Sequence, residues 1–501
     1  MNNRFFITTA IDYANGLPHI GHALEKIGAD TIARYRRHRG DSVHFLMGMD
    51  EHGLKIAQSA AAAGVSPIEW TTRLAGEWRA AWQLLDISYD DFIRTTEPRH
   101  AVGVYEMIRR IRENGDLYQA TYAGFYCVGC EAYKSEDDLV DGHCPEHPSR
   151  EIQWLEEENW FFRLSAYRDR LRALVTESDF VRPESRRNEV LRMIDEIKDI
   201  SVSRAGLKWG IRWPDEPETA VYVWLDALTN YLSATGFPAE GYERLWPADL
   251  HVVGKDIIRF HCVYWPAMLM SAGVETPRGV WAHGWMTMSG GKISKSEGGT
   301  IGIPAAVERH GADAFRYFVL REVPWDSDGN FSWDRLAERD TSELANDLGN
   351  LANRTLSMIH RYRGGVVPEA PATTELDQIA KETVEKYLER MDRLALHEAA
   401  AAVFELVSRA NSFVESRAPW KLARDPANAG SLDETLASLA RALGVVSGLL
   451  HPFMPGRMGE LWTSLGTSET IPPFEDLASL DLTGRTVSMG AVLFPRPELA
   501  K

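Results

Sequence analysis

The sequence predicts an α/β protein in which a parallel-sheet domain is split by a cysteine-bearing insertion and followed by an all-α helical bundle. Three observations carry that prediction. A strand, a helix and a second strand follow one another at the amino end. Near Tyr118 the texture breaks into short aromatic runs with three closely grouped cysteines, before sheet-like segments return at Val221. From Leu344 to about Gly466, long Ala, Leu, Glu and Arg stretches hold few strand formers, with a break at Pro368 to Pro371.

Phe5 to Ile11 is apolar and β-favouring, and it ends in the loop Tyr13-Ala14-Asn15-Gly16-Leu17-Pro18. Leu24, Ile27, Thr31 and Tyr35 then recur at helical steps closed by Gly40. Val43 to Met47 reads as the second strand, with Asp50-Glu51-His52-Gly53 just past its end. Ligands of open parallel sheets bind at the carboxyl ends of the strands, where both polar loops fall. Residues 60–113 read as mostly helical. The sheet is expected to resume at Val221-Tyr222-Val223-Trp224, Leu250 to Val253 and Val280 to Ala282, with a crossover region after 300. The boundaries that follow are a sheet domain over 1–114 and 221–291, an insertion over 115–220, a connecting region over 292–343 and the bundle over 344–501.

With 55 Lys and Arg against 72 Asp and Glu, the 501-residue chain carries a formal charge of −17, which argues against non-specific nucleic-acid binding but not against a partner met by a local basic face. No apolar run approaches the roughly 18 residues of a membrane span. Four cysteines are too few for a disulfide framework at this length. No cleavage site follows the opening residues, so a reducing, cytoplasmic location is expected.

Pro18-His19-Ile20-Gly21-His22 lies on the turn into the first helix. Backbone N–H groups, the helix dipole and two imidazoles there suit a phosphate, and Gly21 permits its close approach. Taken alone, the spacing fits surface histidines near a helix cap equally well. Gly290-Gly291-Lys292-Ile293-Ser294-Lys295-Ser296 is a cationic, glycine-rich arm able to close over a polyphosphate, or simply a solvated basic loop; it lacks the glycine spacing of a Walker loop. Cys127-Val128-Gly129-Cys130 and Cys144-Pro145-Glu146-His147 form two ligand pairs, with thirteen residues between them. Three thiolates and an imidazole would close one structural zinc tetrahedron, the alternative being a coincidental cluster. Asn346, Asn350 and Arg354 step by four along one helical stripe, and Trp420 follows Pro419. Such a row can read splayed bases or be an ordinary polar face. Trp224 and Tyr231, seven apart, would share a helical face, whether as pocket wall or as core.

His19-Ile20-Gly21-His22 followed far downstream by Lys292-Ile293-Ser294-Lys295-Ser296 resembles the two defining motifs of the class I aminoacyl-tRNA synthetases. Tyr13 to Gly16, Gly48 to Gly53, Val223 to Ala227, Val253 to Ile257 and Ala418 to Lys421 are similar to the methionine-specific members, and the resemblance spans about residues 4–495. It implies a Rossmann-like catalytic domain, a connective insertion with a zinc knuckle and a helical anticodon-binding domain, the lysine arm opening a stem-contact region over 292–343. It implies activation of methionine with ATP, with Mg²⁺ assisting, and transfer to initiator and elongator methionine tRNAs.

Residue by residue, the resemblance implies that His19, His22, Lys292 and Lys295 handle the phosphates and that Gly21, Gly254 and Asp256 complete the ATP site. Arg204 would organise the acyl phosphate. Ile11, Tyr13, Trp224, Ala227, Leu228, Tyr231, Ile257 and His261 would line the methionine pocket, and Asp50 would hold the ammonium. Asn346, Asn350, Arg354 and Trp420 would read the anticodon, and Cys127, Cys130, Cys144 and His147 would bind one structural Zn²⁺. Cys262 lies apart and is expected in the core. Ile293 replaces the family's usual methionine, and Asp12 stands where proline or tyrosine is common.

Isoleucine, valine and leucine enzymes share both motifs, but an insertion of this size leaves no room for their editing domain. A cysteine-specific enzyme would carry its zinc beside the histidines, and a simpler nucleotidyltransferase would leave the bundle unexplained. Intact His19, His22, Lys292 and Lys295 argue against a non-catalytic tRNA- or zinc-binding module. The chain's end soon after Pro497 leads to the expectation of a monomer.

Overall fold

The computed structural model describes residues 3–127, 132–134, 136, 139–145, 148, 152–288, 291–292, 301–468 and 470–495; at 122–123, 132–134, 155, 157, 288 and 291–292 it describes the backbone alone. At its centre is a seven-stranded parallel sheet. Strand β1 (Arg4–Thr9) pairs on one side with β3 (Ser42–Asp50), which carries the short strands β2 (Asp12–Tyr13) and β4 (Asp91–Arg94). On its other side lie Leu250–Gly254, then Val280–His283, then Val181–Arg182. The chain winds from β1 through helix α1 (Ile20–His38) to β3, and later returns to the opposite flank of β1. This reversal opens a crevice at the carboxyl ends of the strands.

Alternation along the strands separates two cores. Ile7, Phe45, Met47 and Val252 face one, against α1 and the helical bundle. Phe6, Leu46, Val253 and Val280 face the other, with Met107, Leu228 and Trp265. α1 packs closely because Gly28 lies under the Trp325 ring; a Cβ there would sit 1.9 Å from it.

Two expectations change. Val221 to Trp224 does not rejoin the main sheet. Val221 ends an antiparallel strand, Glu216–Val221, in a separate three-stranded sheet, and helix Val223–Ser233 starts two residues later. A four-residue apolar run is ambiguous between strand and buried helix, and here length settles it for the helix. Residues 60–113 are mostly helical as expected, with the four-residue β4 between two of the helices. Within 115–220, an antiparallel sheet is built on Leu117–Cys127 and Ile152–Phe162, yet Val181–Arg182 from the same stretch forms the outer strand of the main sheet.

Beyond Asp340 the described chain is mainly helical. Glu375–Asp392, Leu396–Arg417 and Ala429–Leu450 pack on one another, and their apolar faces merge with the α1 core. Polar joints fix the bundle to the sheet domain. Arg316, fully buried, donates to Asp30 at 2.7 Å and to the carbonyls of Leu85, Pro452 and Phe453. Tyr35 donates to Asp392 at 2.8 Å. Among the described residues no helix is long and apolar enough to cross a membrane.

Candidate active site

The histidine pair caps α1. His19 is the N-cap in extended conformation; its Nδ1 accepts from the Gly21 N–H, and His22 Nδ1 accepts from the His19 N–H, both at 3.2 Å. The ring centroids stand 3.8 Å apart, and His22 meets the edge of Trp78 at 4.8 Å. A neutral imidazole accepting at Nδ1 carries its proton on Nε2, so both rings hold an N–H donor in addition to the dipole of a 19-residue helix. Lys292 lies in a short strand, Gly291–Lys292, and the chain is next described at Ile301, whose carbonyl accepts from Ile20 N–H at 3.0 Å. Gly302 bridges His19. Ile301 and Gly302, just beyond the arm in sequence, therefore lie against the histidine turn. Its second lysine, Lys295, lies outside the described residues, as does Ile293; of Lys292 the backbone alone is described.

At the end of Leu250–Gly254, the Asp256 carboxylate lies where a Cβ on Gly254 would meet it at 2.6 Å, and Trp285 Nε1 donates to it at 3.2 Å. Gly254 is thus needed for that carboxylate to fold back over the strand end.

The residues expected to form the amino-acid pocket lie on several elements near the carboxyl ends of the strands. Asp50 is buried at the end of β3, opposite Tyr13 on β2. Helix Val223–Ser233 supplies the half-buried Trp224 and the buried Ala227, Leu228 and Tyr231. A π-helical turn, Phe260–Tyr264, sets Phe260 flat on Trp224 (3.5 Å between centroids, 7° between planes) and turns His261 toward Tyr231. His261 Nδ1 donates to the Ile257 carbonyl at 3.0 Å, so Nε2 accepts the Tyr231 hydroxyl proton at 2.7 Å. Burial lowers the His261 pKa to about 4 and holds the Tyr231 hydroxyl well above its ordinary value. Both are therefore neutral at pH 7. Ile11 and Ile257 are half-buried against the same core.

Sequence reasoning missed the framework beneath. Asp226, fully buried beside Ala227, accepts from His52 and His100 at 2.7 Å each, tying the Asp50 loop and helix Pro98–Glu113 to the pocket helix. Burial would raise its pKa, but the His52 charge and the hydrogen bonds from His100 and His52 hold it down to about 2. A second network joins Lys26 to Asp12 (3.0 Å), Glu25 (2.6 Å) and the Ala10 carbonyl (2.9 Å), with Glu25 meeting His283 at 3.1 Å. Burial opposes charge in both, yet Lys26 and His283 hold the Glu25 pKa down, while Asp12 and Glu25 raise that of Lys26. The unusual Asp12 is thus answered by a lysine on α1. The adjacency Glu25-Lys26 was the one sequence signal for it.

Arg204 lies buried against Tyr222 (4.4 Å) and Tyr126 (5.7 Å), donating to Ser201 Oγ and Ser203 O at 2.7 Å. It borders a cavity of about 150 Å³ that also touches Gly53 and Leu54. On the bundle, Arg354 stands over the Trp420 ring at 5.8 Å and pairs with Glu415 at 2.6 Å. Asn350 is exposed at the start of helix Asn350–Arg363, and Asn346 lies in the π-helical segment Asp340–Gly349 before it. Of the zinc ligand set, Cys127 ends its strand and Cys144 follows a tight Asp141-Gly142 turn, both fully buried; Cys130 and His147 lie outside the described residues. Among the described residues no cluster of three metal-ligating side chains is present. Cys262 is buried in the core as expected.

This geometry sets a histidine-capped helix and a buried tyrosine–histidine pair at the carboxyl ends of a Rossmann-like parallel sheet. The family model described as "tRNA synthetases class I (M)" matches residues 5–153 and 147–356, and "Anticodon-binding domain of tRNA ligase" matches 375–487. The chain belongs to the methionine branch of the class I tRNA synthetases. It is 43% identical over 512 residues to a methionine–tRNA ligase of Caldanaerobacter subterraneus subsp. tengcongensis, covering 100% of this chain and 80% of the relative. It is 40% identical to that of Streptomyces coelicolor, covering 99% and 97%. The Mycobacterium tuberculosis methionyl-tRNA synthetase bound by methionyl-adenylate superposes with a TM-score of 0.94 at 39% identity, over 98% of this chain and 100% of that one.

Proposed function

We propose that the crevice activates methionine with ATP and then transfers it to the 3′-terminal ribose of methionine tRNAs, initiator and elongator. The activity is that of a methionine–tRNA ligase. The observation that carries the reading is the neutral Tyr231–His261 wall joined, across the carboxyl ends of β1 and β3, to the histidine cap of α1.

Asp50 holds the methionine ammonium, and the thioether lies against Trp224, Tyr231 and His261. A carboxylate oxygen of methionine attacks the α-phosphorus in line; the bond to the bridging oxygen breaks, and pyrophosphate leaves with the electron pair. His19 and His22 donate to the phosphate oxygens as charge builds on them, with Asp256 on the ribose. Lys292 and Lys295 hold the departing pyrophosphate. Mg²⁺, when bound, would supply further neutralisation of that charge. The terminal ribose hydroxyl of the tRNA then attacks the acyl carbon and AMP departs, with Arg204 organising the acyl phosphate. Asn346, Asn350, Arg354 and Trp420 read the anticodon.

Cys127, Cys130, Cys144 and His147 would hold one structural zinc ion. The complete burial of both described thiols beside a tight turn fits a closed knuckle, and the soft donor set suits zinc. The enzyme works as a cytoplasmic monomer, with a sheet domain over 1–114 and 221–291, an insertion over 115–220 that lends the strand Val181–Arg182 to that sheet, a connecting region over 292–343 and the bundle over 344–501.

ATP–pyrophosphate exchange with each of the twenty amino acids tests the reading. Exchange with methionine alone is the expected result, and exchange driven by another amino acid, or none, overturns it. Metal analysis of the purified protein is expected to give one zinc per chain, lost with Cys144→Ser.

A further inference from the structure

At the opposite end of the sheet, where the parallel strands begin, an open cleft of about 530 Å³ is lined by four arginines and two aspartates. Arg4 starts β1, Asp41 precedes β3, Asp249 and Arg278 precede the next two strands, and Arg182 lies on the outer strand. Arg36 comes from the last turn of α1. The length of β1, six residues at roughly 3.3 Å each, separates this cleft from the catalytic crevice by about 20 Å.

Its charges are poorly matched. Asp249 is shared by Arg4 (3.4 Å) and Arg278 (2.7 Å). Arg36 has Asp41 at 3.6 Å and lies over the Phe5 ring at 4.8 Å. Among the described residues Arg182 makes no ion pair within 4 Å, and the Nε groups of Arg182 and Arg36 are buried without a hydrogen-bond partner. Burial lowers the Arg182 pKa; the Asp179 charge opposes it, and the like charge of Arg36 adds a smaller push in the same direction as burial. Four guanidinium groups against two carboxylates, with Arg182 in no ion pair among the described residues, leave the cleft net positive, which suits a divalent oxyanion able to accept from two guanidinium groups in fork geometry.

We propose that this cleft is a second, non-catalytic site that binds a small phosphate-class oxyanion between Arg36 and Arg182. The excess positive charge is confined to one cleft bordered by Asp41 and Asp249, which suits a free ion or small phosphorylated molecule and not an extended RNA backbone.

Calorimetric titration of the full chain with inorganic phosphate and, separately, with AMP tests this, with the catalytic crevice filled by a non-hydrolysable methionyl-adenylate analogue. Saturable binding is expected in both titrations if a phosphomonoester is accepted, and in the first alone if only the free ion fits. Arg182→Gln and Arg36→Gln are each expected to weaken phosphate binding about tenfold or more, since a charge-assisted hydrogen bond contributes on the order of 1.5–3 kcal/mol. Their methionine-dependent pyrophosphate exchange should remain unchanged, which also certifies folding. Phosphate binding that is absent, or that survives both substitutions, overturns the proposal. Loss of tRNA affinity in the variants without loss of phosphate affinity assigns the arginines to RNA and overturns it equally.

Discussion

The Lys26 ammonium lies 3.0 Å from the Asp12 carboxylate, with both groups almost wholly withdrawn from water. Because Lys26 also holds Glu25 and the Ala10 carbonyl, it fixes the strand end on which Ile11 and Tyr13 reach the amino-acid pocket. Lys26→Met leaves two buried carboxylates facing each other, and is expected to lower unfolding stability by about 3–5 kcal/mol. The double variant Asp12→Ala, Lys26→Met should recover part of that loss. Urea denaturation reads the stability. In whichever variant folds, a raised KM for methionine reads the displaced strand end.

Tyr231→Phe removes the proton that His261 Nε2 accepts. A buried acceptor left unsatisfied costs about 1–3 kcal/mol, so the KM for methionine is expected to rise roughly tenfold, with less effect on kcat. Steady-state pyrophosphate exchange checks this. An unchanged KM would remove the pair from the pocket wall.

Lys295→Ala is expected to slow adenylate formation by about 10² to 10³-fold while methionine binding stays nearly intact, as the role proposed for the lysine at the leaving pyrophosphate requires. Single-turnover exchange kinetics together with equilibrium methionine binding separate the two effects.

Trp420→Ala should reduce kcat/KM for tRNA aminoacylation by about 10- to 100-fold and spare pyrophosphate exchange. A base stacked on an aromatic ring contributes on the order of 1–3 kcal/mol. Equal losses in both assays would refute the division of labour between the bundle and the crevice.

Acid should loosen the joint between the domains. His38 Nε2 and His451 Nδ1 share a hydrogen bond at 3.0 Å, which needs one ring as acceptor. Burial and Arg34 lower the His38 pKa to about 4; burial, His38, Arg34 and Arg316 lower that of His451 to about 3, against Asp30. Between the ordinary value near 6.5 and these folded values the unfolded chain binds more protons, so stability falls as pH drops through that window. The slope is at most about 1.4 kcal/mol per pH unit for each histidine. Urea midpoints from pH 7 to 4 measure it, and His451→Gln should flatten the curve.

Much of the site was legible because its chemistry lies in contiguous motifs. The His19 to His22 turn, the Asp50 loop and the Gly254-Lys255-Asp256 strand end each declare their neighbours within a few residues, and each is found at a strand or helix terminus. Phe260 was not legible as the partner of Trp224, since only a π-helical turn brings its ring parallel to the indole. Nor was Asp226, whose histidine partners stand 126 and 174 positions away in the chain. Val221 to Trp224 misled because four apolar residues carry too short a period to distinguish a strand from the start of a buried helix.

The sequence by itself determined the parallel-sheet class, the helical bundle and the residue types at the phosphate turn, since hydrophobic period and local turn chemistry act over a few neighbouring positions. Only the tertiary structure decided which charges are paired out of water, how Arg354 comes to stand over Trp420, and where four arginines converge at the far end of the sheet. Those relationships join positions distant in the chain, and no local pattern encodes the desolvation that governs them.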